Sequence, residues 1–192
     1  MIWNDTFKGA YFSPDRVYRY TLWRNWWLWD REPLKFVAFI GLNPSTADET
    51  QNDPTVTRCI NYARHWGFDG MVMLNIFGYR ATDPREMKKH PEPIGEENNL
   101  IIIEICIIAS MVVCCWGNHG AHNNRADKVL QFLGNKNIKN VYHLGLTKQG
   151  QPKHPLYLRA DLEPVKWGDY RGVIKDNGKE RDLYNVQKNG DR

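Results

Sequence analysis

Apolar residues gather in short runs separated by polar stretches that carry glycine and proline. Phe36 to Ile40 is the first strong run; it reads as a buried strand and leads directly into Gly41-Leu42-Asn43-Pro44-Ser45. Asp53-Pro54 supplies an N-cap and a first-turn proline, which predicts a helix to about His65, stopped by Gly67 and Gly70. Met71 to Phe77 predicts a second buried strand, followed by a loop from Gly78 to Arg85. A helix from about Gly95 to Ala109 leads to a third strand, Met111–Trp116. Gly117-Asn118-His119-Gly120 turns into a helix from about Asn123 to Leu133, and a fourth strand, Asn140–Leu146, ends in a loop that runs to Leu158.

Strands alternating with helices predict an α/β fold with three layers, helices on both faces of a central, mainly parallel four-stranded sheet. Ahead of it, residues 9–29 alternate around Ser13-Pro14-Asp15 and predict a β-hairpin. Trp23, Trp26, Trp27 and Trp29 crowd its end. Two readings stay open for it: aromatics turned inward on a sheet edge, or an aromatic and basic surface that touches nucleic acid. Residues 1–167 are expected to form a single domain that includes this hairpin. Residues 168–192 are polar and glycine-bearing, and are expected to be a tail or a late edge element.

Composition adjusts this picture only slightly. The 192 residues suffice for one core, and 26 basic against 22 acidic residues leave a net charge of +4. That excess permits a polyanionic partner without requiring one. Cys59, Cys106, Cys114 and Cys115 lack metal-ligand spacing, and three of them lie in apolar runs. They read as buried free thiols of a reducing, cytoplasmic setting. Met1-Ile2-Trp3-Asn4-Asp5 does not read as a signal peptide. The apolar run from Leu100 to Trp116 is interrupted by Glu104 and falls short of the roughly 20 residues a membrane span needs, so no membrane is expected. His119 and His122 lack further ligand-type neighbours, and no metal is expected.

In a parallel sheet the carboxyl ends of the strands share one edge. Asn43-Pro44-Ser45, Asn75 with Tyr79-Arg80, Trp116 through His119, and Lys148 through Tyr157 all fall there, so they are expected to converge on one cleft. Each has an ordinary alternative. Asn43 before proline is a common turn former, Asn75 could cap a neighbouring loop, and His154 could be an exposed loop residue. As site groups, an amide offers a donor and an acceptor together, and a histidine donates or shuttles a proton near neutrality.

The order of these motifs resembles the uracil-DNA glycosylase superfamily over roughly residues 36–160. The residues concerned are Gly41 to Ser45, then Leu74-Asn75 followed by Tyr79-Arg80-Ala81-Thr82-Asp83-Pro84, then His154 to Leu158. A closer resemblance is to an uncharacterised phage and bacterial domain family that carries the Leu42–Asp48 stretch and the Leu144–Lys148 stretch ahead of His154-Pro155-Leu156-Tyr157-Leu158. The superfamily resemblance implies a DNA glycosylase that flips a modified or mismatched base and hydrolyses its N-glycosidic bond, in DNA repair or DNA modification. It implies catalytic roles for Asn43, which places a water near the sugar C1′, and for His154, which supports charge on the departing base. Asn75 would read the base, with Gly41, Leu42, Pro44, Ser45, Tyr79, Arg80, Trp116 and Asn118 around it. Lys148, Lys153, Tyr157 and Arg159 would contact DNA. Leu156 stands where the last motif commonly has Ser, a departure that bears on phosphate contact. The cysteines do not match the iron–sulfur branch, so no cofactor is expected. The alternatives are a module that binds a free nucleotide or nucleoside without chemistry, and another base-modifying enzyme on the same fold.

Overall fold

The first long apolar run forms the centre of a seven-stranded mixed sheet, in a computed structural model that describes residues 7–26, 34–168, 174–176 and 179–181. Strands β1 (Lys8–Phe12) and β2 (Arg19–Asn25) precede β3 (Phe36–Gly41), and helix α1 (Pro54–His65) leads to β4 (Gly70–Asn75). Helices α2 (Pro84–Lys89) and α3 (Asn98–Ile108) lead to β5 (Met111–Cys114); α4 (Arg125–Asn135) leads to β6 (Val141–His143), and β7 (Val165–Lys166) follows. The strand order is β1-β2-β4-β3-β5-β6-β7. Among the described strands only β4, β3, β5 and β6 run parallel to one another.

The expected four-stranded sheet is therefore the parallel middle of a wider one. Each flank gains antiparallel partners: β2 joins β4 on one side, and β7 joins β6 on the other. An unpaired edge on a strand as apolar as β4 would expose backbone donors and acceptors beside hydrophobic side chains, and β2 closes it. The hairpin β1/β2 is thus continuous with the sheet. Tyr20 and Trp23 are buried, which favours the inward reading of its aromatics; Trp27 and Trp29 lie outside the described residues. Beyond Gly168, β8 (Ile174–Asp176) and β9 (Lys179–Arg181) pair as a separate antiparallel ribbon, and the rest of that stretch lies outside the described residues.

Both faces of the parallel strands are covered, which is why they read as continuous apolar runs. Ala38, Ile40, Val72, Leu74, Val112 and Cys114 pack with α3 and α4; Val37, Phe39, Met71, Met73, Val113 and Cys115 pack with α1. From β3 the chain crosses to β4 on one side, then returns past β3 to β5 on the other. Right-handed crossovers in opposite directions place α1 on one face and α3 and α4 on the other. Loops leaving β3 and β5 consequently diverge and open a crevice at their carboxyl ends. Among the described residues no helix is long and apolar enough to cross a membrane. All four cysteines are buried free thiols.

Two long-range clamps hold the end of β4. Asn98, fully buried on α3, donates from Nδ2 to the carbonyls of Asn75 (3.0 Å) and Ile76 (3.2 Å). Arg125 on α4 donates from Nε to the Ile76 carbonyl at 2.6 Å and from Nη2 to Asn99 Oδ1 at 2.6 Å. Replacing Asn98 by Ala leaves buried carbonyls short of a donor, so Asn98→Ala is expected to cost about 1–3 kcal/mol. Urea denaturation of the variant checks this, and an unchanged midpoint would show that the clamp contributes nothing.

Candidate functional site

β3 does not stop cleanly at Gly41. The Ile76 and Phe77 amides donate to the Gly41 and Leu42 carbonyls, each at 2.9 Å, carrying the pairing past the sheet. A Cβ at Gly41 would lie 2.5 Å from Met73 Cε and 3.0 Å from Asn75 Oδ1, so glycine here leaves room for the Asn75 amide. After Leu42 the chain turns away, and two loops are laced together. Ala81 N donates to the Pro44 carbonyl at 2.9 Å, while Asn43 Nδ2 donates to the carbonyls of Ala81 (2.7 Å) and Pro44 (3.0 Å). Asn43 is a loop former through its nitrogen, and its Oδ1 remains as an acceptor.

The other walls are tied down in the same manner. Trp116 Nε1 donates to Gln151 Oε1 at 2.8 Å, Gly117 N to the Pro152 carbonyl at 2.8 Å, and Thr147 Oγ1 to Asn118 Oδ1 at 2.7 Å. Gly117 adopts φ +69°, a left-handed conformation open to glycine, and the position of its missing Cβ lies 3.8 Å from His154 Cβ. Arg58 and Tyr62 of α1 donate to the carbonyls of Leu158 and Arg159, holding the His154 loop against the helix.

These elements enclose a cleft of about 640 Å³ at the carboxyl edge, within the size range of small-molecule sites. Of the residues expected there, Leu42, Asn43, Ser45, Asn75, Trp116, Asn118, His154 and Tyr157 line it. The remainder lie elsewhere. Gly41 and Pro44 are buried behind the wall. Tyr79 stacks on His90 at 4.0 Å, and Arg80 donates to the Arg16 carbonyl beside the Phe12 ring; both line an adjacent groove. Lys148, Lys153 and Arg159 are exposed and off the cleft; Lys153 runs beside Gly145, and Arg159 is paired with Asp161 at 2.6 Å. Tyr157 is 88 % exposed, so only its inner part contributes to the wall.

Two charged residues of the cleft lie outside the segments expected there. Among the described residues Asp53 is the one carboxylate lining the cleft; its Oδ1 accepts from Val56 N at 2.8 Å as the N-cap of α1. The same Asp-Pro signal that starts the helix marks it, because a helix that follows a strand-end loop begins at the sheet's carboxyl edge. Arg19, from the start of β2, is 1 % exposed and also lines the cleft. His119, expected at this edge with Trp116 and Asn118, lines it too, with Nδ1 3.0 Å from Lys88 Nζ. Among the described residues no group of three or more His, Cys, Asp or Glu side chains is placed to hold a metal.

His154 is half-buried, and its Nδ1 accepts from Leu156 N at 3.4 Å. That bond assigns the proton of the neutral ring to Nε2, which makes His154 a donor. Burial pushes its pKa below the usual histidine value, against a smaller opposing effect of Asp53. Burial also lowers the pKa of His119 and His143. In the unfolded chain these groups take up protons below about pH 6.5, ahead of the folded protein, so stability present above that pH is lost as the pH falls through it. Thermal denaturation from pH 7 to pH 5 is expected to show a falling Tm, with a shallower fall for His154→Gln. A Tm independent of pH over that range would contradict the assignment.

A family model described as "Protein of unknown function (DUF1643)" matches residues 19–156. That range starts at Arg19 and ends at Leu156, and so takes in all of the cleft lining except Tyr157. No curated protein and no solved structure matches the chain. The chain belongs to the DUF1643 family of proteins of unknown function.

Proposed function

We propose that the cleft binds a nucleobase and hydrolyses the N-glycosidic bond that joins it to its sugar. One observation carries this reading: Asn43 after β3, Asn75 at the end of β4 and His154 in the loop beyond β6 line a single cleft together with the carboxylate of Asp53. The resemblance of the Gly41–Ser45, Leu74–Asn75 and His154–Leu158 motifs to the uracil-DNA glycosylase superfamily supports the choice of reaction.

The roles follow from the available atoms. Asn43 Oδ1 orients a water, and Asp53, stronger as a base than an amide, takes its proton. The water oxygen bonds to C1′ as the C1′–N bond breaks, and the electron pair of that bond stays on the base. Asp53 passes its proton to solvent, and the departing base is protonated from solvent. His154 Nε2–H supports the negative charge that grows on the base meanwhile. Apolar lining from Leu42, Met73, Val56 and Leu156 keeps bulk water from the bond.

A free nucleoside or nucleotide as substrate, in place of a nucleic-acid strand, is favoured by one specific observation. Lys148, Lys153 and Arg159 all stand off the cleft, and Arg159 already has its carboxylate partner.

The experiment is mass spectrometry of free bases after incubation with nucleosides, nucleotides, and base-modified or uracil-containing DNA, single- and double-stranded. Asn43→Ala and His154→Ala are expected to fold and to lose base release by about 10²–10³-fold. Asp53→Asn keeps a good N-cap acceptor for Val56 N, so the helix is retained while the rate falls by about 10²–10⁴-fold. Binding without base release from any substrate would leave only the nucleotide-binding module.

A further inference from the structure

Three arginines in the described structure are almost fully buried, and two of them are well provided with acceptors. Arg24 donates from Nε to Asn52 Oδ1 at 2.8 Å, from Nη1 to the carbonyls of Gly9 and Trp23, and from Nη2 to those of Asp48 and Gln51. Arg125 uses Nε and Nη2 to hold the end of β4. Arg19 differs. Its Nη1 donates to the Ala47 carbonyl at 2.7 Å, yet its Nε has no hydrogen-bond partner, and none of the ion pairs among the described residues includes it. Asn75, 1 % exposed, is in the same position: its Nδ2 has no partner. Both side chains line the one cleft.

Buried donors without acceptors are rare, and each costs the folded chain its lost hydration. Two of them in one wall mark a surface built for acceptors that arrive from outside. One belongs to a guanidinium, so the arriving group gains most if it carries negative charge. Burial lowers the Arg19 pKa to about 10, which leaves it charged at neutral pH. Asp53 and Asp48 act on it from nearby, opposed by Arg80 and Arg24, so the surrounding charges do not cancel it with one dedicated partner.

We propose that Arg19 and Asn75 form an anion-accepting wall of the cleft, against which the ligand sets a heterocyclic edge bearing carbonyl oxygens or a deprotonated ring nitrogen. This rests on the cleft being a base site, and it names the face of the base that the protein reads. A base whose ring nitrogen keeps the electron pair of the broken bond is such an anion, and in a low-dielectric wall a fixed guanidinium supports it strongly.

The test needs no turnover. Free uracils and xanthines of graded ring N–H acidity are titrated into the full-length protein by calorimetry between pH 6 and pH 9. For each heterocycle, the wild-type affinity is expected to rise about tenfold as the heterocycle deprotonates, a gain of about 1.4 kcal/mol. Arg19→Lys should keep part of that preference and Arg19→Gln should lose it; the wild-type comparison stands alone if either variant folds poorly. Affinity that ignores ionisation, affinity that favours the neutral form, or no binding of any heterocycle would overturn the inference. Anion preference without base release would sink the hydrolase reading alone, and base release without anion preference would sink this inference alone.

Discussion

Parallel pairing of β3 with both β4 and β5 is the constraint on which the rest of the molecule depends. With β4 on one side of β3 and β5 on the other, the crossover from β3 to β4 and the crossover from β4 back past β3 to β5 run in opposite directions, and handedness then assigns their helices to opposite faces. Divergence of the loops at its carboxyl end follows directly. A cleft at that edge needs no special device beyond side chains able to fill or line it. The protein invests its unusual residues in keeping the edge in place: Asn98 and Arg125 hold the β4 carbonyls from one face, and Arg58 and Tyr62 hold the His154 loop from the other.

Much of this architecture can be read from the chain itself. Phe36–Ile40, Met71–Leu74 and Met111–Cys114 are buried on both faces and therefore appear as unbroken apolar runs, the pattern least open to misreading. Asp53-Pro54 starts α1 as expected because the cap is local. Asp83-Pro84 carries the same signal for α2, yet the surrounding sequence reads as loop, since the helix it starts is short and its only buried side chain is Met87. The sheet's width could not be read in that way. Pairing of β2 with β4 joins residues about fifty apart, and no local pattern encodes a partner at that distance.

The site divides along the same line. Asn43, Asn75 and His154 follow strand ends, so knowing the strands locates them. Arg19 reaches the cleft only because β2 lies beside β4, and as one polar residue in an alternating hairpin it gave no sign of burial. Asp53 was visible as a cap, and its second face toward the cleft emerges once α1 is placed. The resemblance implies DNA contacts for Lys148, Lys153 and Arg159, and the pairing of Arg159 with Asp161, two residues away, is a local feature that the sequence also carries.

Taken together, the cleft separates its charges: a carboxylate on the helix N-terminus, a guanidinium from the sheet, and a neutral imidazole donor on the loop between strands. That distribution suits a reaction in which a sugar turns positive while a base turns negative. The most direct measurement of this account is a crystal structure of the protein with a nucleoside analogue whose glycosidic bond resists hydrolysis. The account predicts the base inside the cleft with its acceptor edge on Arg19 Nε and Asn75 Nδ2, and the sugar C1′ facing Asn43 and Asp53. An analogue bound outside the cleft, or inside it with the sugar turned toward Arg19, would contradict it.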